Sequence, residues 1–107
     1  MVYSIDEIRE KSGPIAQEYN LLSLFLFGSY AKGEATEDSD IDFLYSGELT
    51  GLIQYSSLVR KLESIFGCHV DLVSTNIDNP KFLNRIKKYG VLLYEKKDKK
   101  PLEVNVE

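Results

Sequence analysis

Asp40 and Asp42 stand two residues apart in "SDIDFLYS", a segment otherwise apolar enough to be a buried strand. On an extended chain that spacing points both carboxylates to one face. Two like charges held side by side repel unless a cation lies between them, and hard dications such as Mg²⁺ favour carboxylate oxygens with several waters retained. A third acid, Asp71 in "HVDLVS", interrupts another apolar run. If its strand lies beside that of Asp40 and Asp42, three carboxylates meet. That suffices for a two-metal site, or for metal ligation with one acid acting instead as general base. The chemistry implied is nucleotidyl or phosphoryl transfer, with an attacking oxygen aligned opposite a leaving pyrophosphate.

A complementary feature precedes the acids. Gly28-Ser29 directly follows the apolar run "LFLF" and opens a possible helical turn, where freed backbone amides can hold phosphate oxygens. Glycine at 28 lets the backbone approach a ligand closely, and the Ser29 hydroxyl can donate to a phosphate or sit near a metal. Lys32, one turn on, would add positive charge near the same phosphates.

These residues need a scaffold, and the chain reads as alternating helix and strand. Ser4 and Glu7 have capping-box spacing, so a helix is expected from Ile5, with Ile5, Ile8, Ile15 and Tyr19 facing inward and a kink or restart at Gly13-Pro14. Leu21 to Phe27 reads as an interior strand covered on both faces, and residues 28–38 as a loop with a helical turn from Ser29 to Lys32. An extended segment from Asp40 to Ser46 follows. Leu49, Leu52, Ile53, Val59, Leu62 and Phe66 then recur at helical spacing up to Gly67, which suits a left-handed cap. His69 to Ser74 is a third strand, Asn79 to Gly90 a capped helix, and "VLLYEK" a last strand. The expected fold is α/β (α+β): one small domain over residues 1–97 with helices against a mixed β-sheet, followed by a charged, loosely ordered tail at 98–107. Leu102, Val104 and Val106 alternate in that tail as an edge strand would.

Composition narrows the function. A chain of 107 residues, 43% hydrophobic and 28% charged, has the size and balance of one globular domain. A net charge of -4 gives no electrostatic basis for direct nucleic-acid binding. No apolar run approaches the roughly 18–20 residues that cross a bilayer, so no membrane partner is expected and the location reads as cytoplasmic. Cys68 is the single cysteine and His69 the single histidine; their adjacency at the head of an apolar run reads as structural, and neither is assigned a role. Tyr30 and Tyr45 are read as packing rather than base-stacking residues, and Lys81, Arg85, Lys87 and Lys88 as a solvated helix face.

Gly28-Ser29, ten intervening residues and Asp40-Ile41-Asp42 together resemble the signature of the DNA polymerase beta-like nucleotidyltransferase superfamily. Within it the chain is similar to the minimal nucleotidyltransferases, small MntA-like antitoxins found beside HEPN-domain toxins, over about residues 20–95. The resemblance implies Ser29 at the nucleotide phosphates, Asp40 and Asp42 as Mg²⁺ ligands, and Asp71 as the third acid, which activates the acceptor hydroxyl. It implies transfer of AMP from ATP to a tyrosine of a cognate HEPN toxin, with pyrophosphate released and the toxin's ribonuclease activity blocked. A hetero-oligomer with the toxin is the corresponding assembly. Lys32 departs from the arginine common at its place, keeping the charge but losing the bidentate fork.

Two rivals remain at this level. One is a binding module that neutralises its partner by occlusion without catalysis. The other is a nucleotidyltransferase for a small molecule of the aminoglycoside type, which generally carries a second, substrate-binding domain that this sequence lacks.

Overall fold

A computed structural model describes residues 2–97, so the expected tail at 98–107 lies outside the described residues. The elements run α1 (Ile5–Glu18), β1 (Ser23–Phe27), α2 (Gly28–Lys32), β2 (Ile41–Ser46), α3 (Gly51–Phe66), β3 (Val70–Ser74), α4 (Pro80–Tyr89) and β4 (Val91–Glu95). The four strands form one sheet in the order β3-β2-β1-β4. β1 pairs antiparallel with both β2 and β4, whereas β2 and β3 run parallel, joined across by α3. Parallel neighbours need such a crossover because a tight turn cannot reverse the chain twice.

The helices begin and end where local chemistry dictates. Ser4 Oγ accepts from Glu7 N at 3.0 Å while Ser4 N donates to Glu7 Oε1 at 2.8 Å, closing the capping box of α1. Of the kink or restart expected at Gly13-Pro14, the restart does not occur: α1 carries on through the pair as one helix. Its buried stripe is Ile8, Ser12, Ile15 and Ala16, and Ser12 Oγ satisfies itself by donating to Ile8 O at 2.7 Å. Gly67 ends α3 at φ 68°, in the left-handed region that side chains resist. Asn79 caps α4 by accepting from Phe82 N, with Pro80 in the first turn.

Alternation along the strands divides the sheet into two faces. Leu24, Leu26, Ile41, Phe43, Tyr45, Val70 and Leu72 join Ile8, Leu58, Leu62 and Phe66 in the main core under α1 and α3. The other face carries Phe27, whose ring meets Phe82 of α4 edge-on at 5.4 Å, and also Asp42 and Leu44. β1 is therefore covered on both sides, as its sequence suggests. Tyr30 and Tyr45 are buried in the core, in keeping with their reading as packing residues. β3 is an edge strand whose outer groups are tied to α3: Val70 N donates to Glu63 Oε2 at 3.1 Å and Tyr55 Oη donates to Leu72 O at 2.5 Å. Among the described residues no helix is long and apolar enough to cross a membrane.

Candidate active site

The register of the parallel pair builds the site. Ile41 lies opposite Val70 and Asp42 opposite Asp71, so the face bearing Asp42 also bears Asp71. β2 starts at Ile41 rather than at Asp40, as the sequence had suggested. The amide of Ile41 nevertheless donates to His69 O at 3.1 Å, so Asp40 and His69 flank each other just ahead of the pair. "DID" and "HVD" thus lie side by side, with Asp40 against His69 and Asp42 against Asp71.

Distances bear this out. His69 Nδ1 lies 3.4 Å from Asp40 Oδ2 and 3.8 Å from Asp71 Oδ1. One ligating atom from each of Asp40, His69 and Asp71 falls within 4.8 Å of the others, all three side chains being exposed to solvent. Asp42 is half-buried. Burial first, then a side-chain hydrogen bond with Asp71, the charge of Asp71 and the charge of Asp40 lift its carboxyl from 3.8 to about 6, while His69 acts in the opposite sense. Burial disfavours the charged carboxylate, and the neighbouring acids add to that effect. Three convergent carboxylates and an imidazole fit a divalent cation. Neighbouring Cys68 does not join them: burial, followed by Asp40 and Glu63, pushes its thiol up and keeps it protonated.

Gly28 closes the site on the β1 side. It begins α2 at φ 75°, and a Cβ placed on it would stand 2.1 Å from Asp42 Oδ2. A side chain there would push the Asp42 carboxylate aside. Ser29 follows in the first turn of α2, whose amides have no acceptor within the helix. From Gly28 a cleft of about 480 Å³ runs between α2 and α4, with Phe27, Phe82 and Ile86 along it and the Lys32 and Arg85 side chains lining it. The structure brings Gly28, Asp40, Asp42 and Asp71 together, puts Ser29 next to them on α2, and sets Lys32 in the adjoining cleft. His69 was given no role from sequence; its two-residue offset from Asp71, matching that of Asp40 from Asp42, was the available signal. Arg85, read as part of a solvated face, reaches a cleft that only the packing of α4 creates.

A mixed four-stranded sheet presenting paired aspartates on one strand, a third on its parallel neighbour and a Gly-Ser helix start defines a nucleotidyl-transfer fold. The family model "Polymerase beta, Nucleotidyltransferase" matches residues 10–99, and the chain belongs to that family. It is an enzyme-class domain of the minimal, MntA-like type. A relative in Methanocaldococcus jannaschii, MJ1379, provisionally named a protein adenylyltransferase, is 41% identical over 81 residues, covering 71% of this chain and 81% of its own. Protein adenylyltransferase MntA of Thermococcus cleftensis is 38% identical over 60 residues, 55% of this chain and 61% of that protein. A chain in the crystal structure of a toxin-antitoxin with AMP-PNP superposes with a TM-score of 0.71 at 25% identity, over 83% of this chain and 74% of that one.

Proposed function

We propose that residues 1–97 form a catalytic domain that transfers AMP from ATP to a tyrosine of a HEPN-type ribonuclease toxin, as a cytoplasmic antitoxin using Mg²⁺ or a similar dication. The observation that carries this reading is the register that sets Asp42 beside Asp71 with Gly28 packed against Asp42. The names of the similar proteins, protein adenylyltransferases and a toxin-antitoxin with AMP-PNP, support it.

In this reading Gly28 leaves room beside Asp42 for the triphosphate, and the Ser29 hydroxyl and the amides of α2 orient its oxygens. Lys32 and Arg85, lining the adjoining cleft, counter the charge of the departing pyrophosphate. A dication held by Asp40, Asp42 and Asp71 would neutralise charge on the reacting phosphate. Asp71, on the edge strand and open to solvent, would take the proton of the incoming tyrosine hydroxyl. The tyrosine oxygen bonds to the α-phosphorus, the bond to the bridging α-β oxygen breaks, and pyrophosphate leaves with that electron pair.

The test is mass spectrometry of the partner co-expressed with this chain. Addition of AMP to a partner tyrosine by the wild type, and its loss with Asp42→Ala, is the expected result. An unmodified partner still neutralised by an Asp40→Ala, Asp42→Ala double variant would show inhibition by occlusion and overturn the proposal.

A further inference from the structure

The family signature accounts for Asp40, Asp42 and Asp71 but not for His69, which the register inserts into the same patch. We propose that His69 is itself a metal ligand, through Nδ1, and that it biases the site toward a first-row transition dication such as Mn²⁺ over Mg²⁺. The inference rests on the metal-dependent reading above and adds a specificity determinant to it.

Three observations carry it. Nδ1 is the nitrogen that faces both acids, at 3.4 Å from Asp40 and 3.8 Å from Asp71. Neighbouring ligand atoms around a dication bound at about 2.1 Å stand about 3 Å apart, so small side-chain rotations bring these three onto one ion. The backbone already fixes the pairing, since Ile41 N donates to His69 O and Val70 lies opposite Ile41. The imidazole is also open to solvent, its side chain being 60% exposed.

The donor set then selects the ion. Mg²⁺ takes oxygen ligands and gives up water reluctantly, whereas first-row transition dications, Mn²⁺ the least strongly of them, accept imidazole more readily. The three acids together with one imidazole suit an ion that accepts both donor types. If His69 were only a charge partner of the acids, the site would hold oxygen ligands alone and show no such bias.

Mn²⁺ itself is the probe, added to the full chain and followed by pulsed electron paramagnetic resonance and by equilibrium titration. The expected result is ¹⁴N modulation from a directly bound imidazole in the wild type. In His69→Ala and His69→Gln that modulation should vanish while Mn²⁺ still binds, with the Mn²⁺-over-Mg²⁺ affinity ratio falling about tenfold or more. Circular dichroism of both variants establishes that the fold is retained. Mn²⁺ binding without nitrogen coupling in the wild type, or an affinity ratio unchanged in the variants, overturns the role of His69 and leaves the catalytic reading standing. No Mn²⁺ binding by the wild type likewise overturns the role of His69, while AMP addition to the partner decides the catalytic reading separately.

Discussion

At the scale of single residues, Asp42 holds its proton to higher pH than an ordinary carboxyl does. The Asp42 carboxyl is lifted from 3.8 to about 6 in the folded chain, so the native state binds that proton more tightly than the unfolded one. The resulting stabilisation is complete below the unfolded value and is lost as pH rises through about 6. With a chelator present, the melting temperature should therefore fall between pH 4 and pH 7, and a dication should restore it above pH 6; Asp42→Asn, neutral throughout, should flatten this pH dependence. That variant should also be more stable than wild type at pH 7.5 yet unable to transfer AMP, since repulsion is relieved at the expense of ligation. Gly28→Ala tests the other wall. Its methyl group would stand 2.1 Å from Asp42 Oδ2 on a backbone at φ 75°, so chemical denaturation should show a loss of about 1–2 kcal/mol from the backbone alone. Activity should fall more than stability does, because Asp42 is the atom group displaced.

At the scale of elements, α1 carries a weakness that its neighbours override. Pro14 sits inside the helix, where it withholds the amide that would bond the carbonyl of Glu10, yet the chain remains helical from Ile5 to Glu18. Burial of Ile8, Ile15 and Ala16 holds the helix together across it. Pro14→Ala should raise stability by about 1–2 kcal/mol in urea unfolding, the helix-interior gain of about 3 being reduced by the extra freedom of the unfolded chain. That continuity was not readable locally, because a Gly-Pro pair signals a break and the counterforce comes from strands far along the chain. The capping box of Ser4, the left-handed end at Gly67 and the cap at Asn79 were readable, since each depends on residues within one turn. So were the acids and the Gly-Ser step. What sequence could not supply was register: which residue of "HVDLVS" faces which of "DIDFLYS" is settled by how α3 folds back, and on that alignment His69 changes from a structural residue into a neighbour of the acids. The cleft beside Gly28 was hidden for the same reason, its walls coming from α2 and α4.

At the scale of the whole molecule, the sheet is asymmetric. α1 and α3 seal one face, while α4 covers the other over β1 and leaves the acids near the β3 edge open to solvent. In the proposed reading, the protein acceptor would approach from that open side. The pairing of β2 with β3 has a mechanical consequence as well. Its two strands are joined covalently only through α3, and their candidate ligands sit at matching ends, so an ion gripping both would act as a rivet across the outermost seam of the sheet. Opening that seam would require releasing the ion. Hydrogen-deuterium exchange of the β3 amides should accordingly slow by up to about a hundredfold when the ion is at a hundred times its dissociation constant. The amides of β4, at the far edge, should exchange as before, so the rivet would stiffen one margin of the molecule and leave the other to breathe.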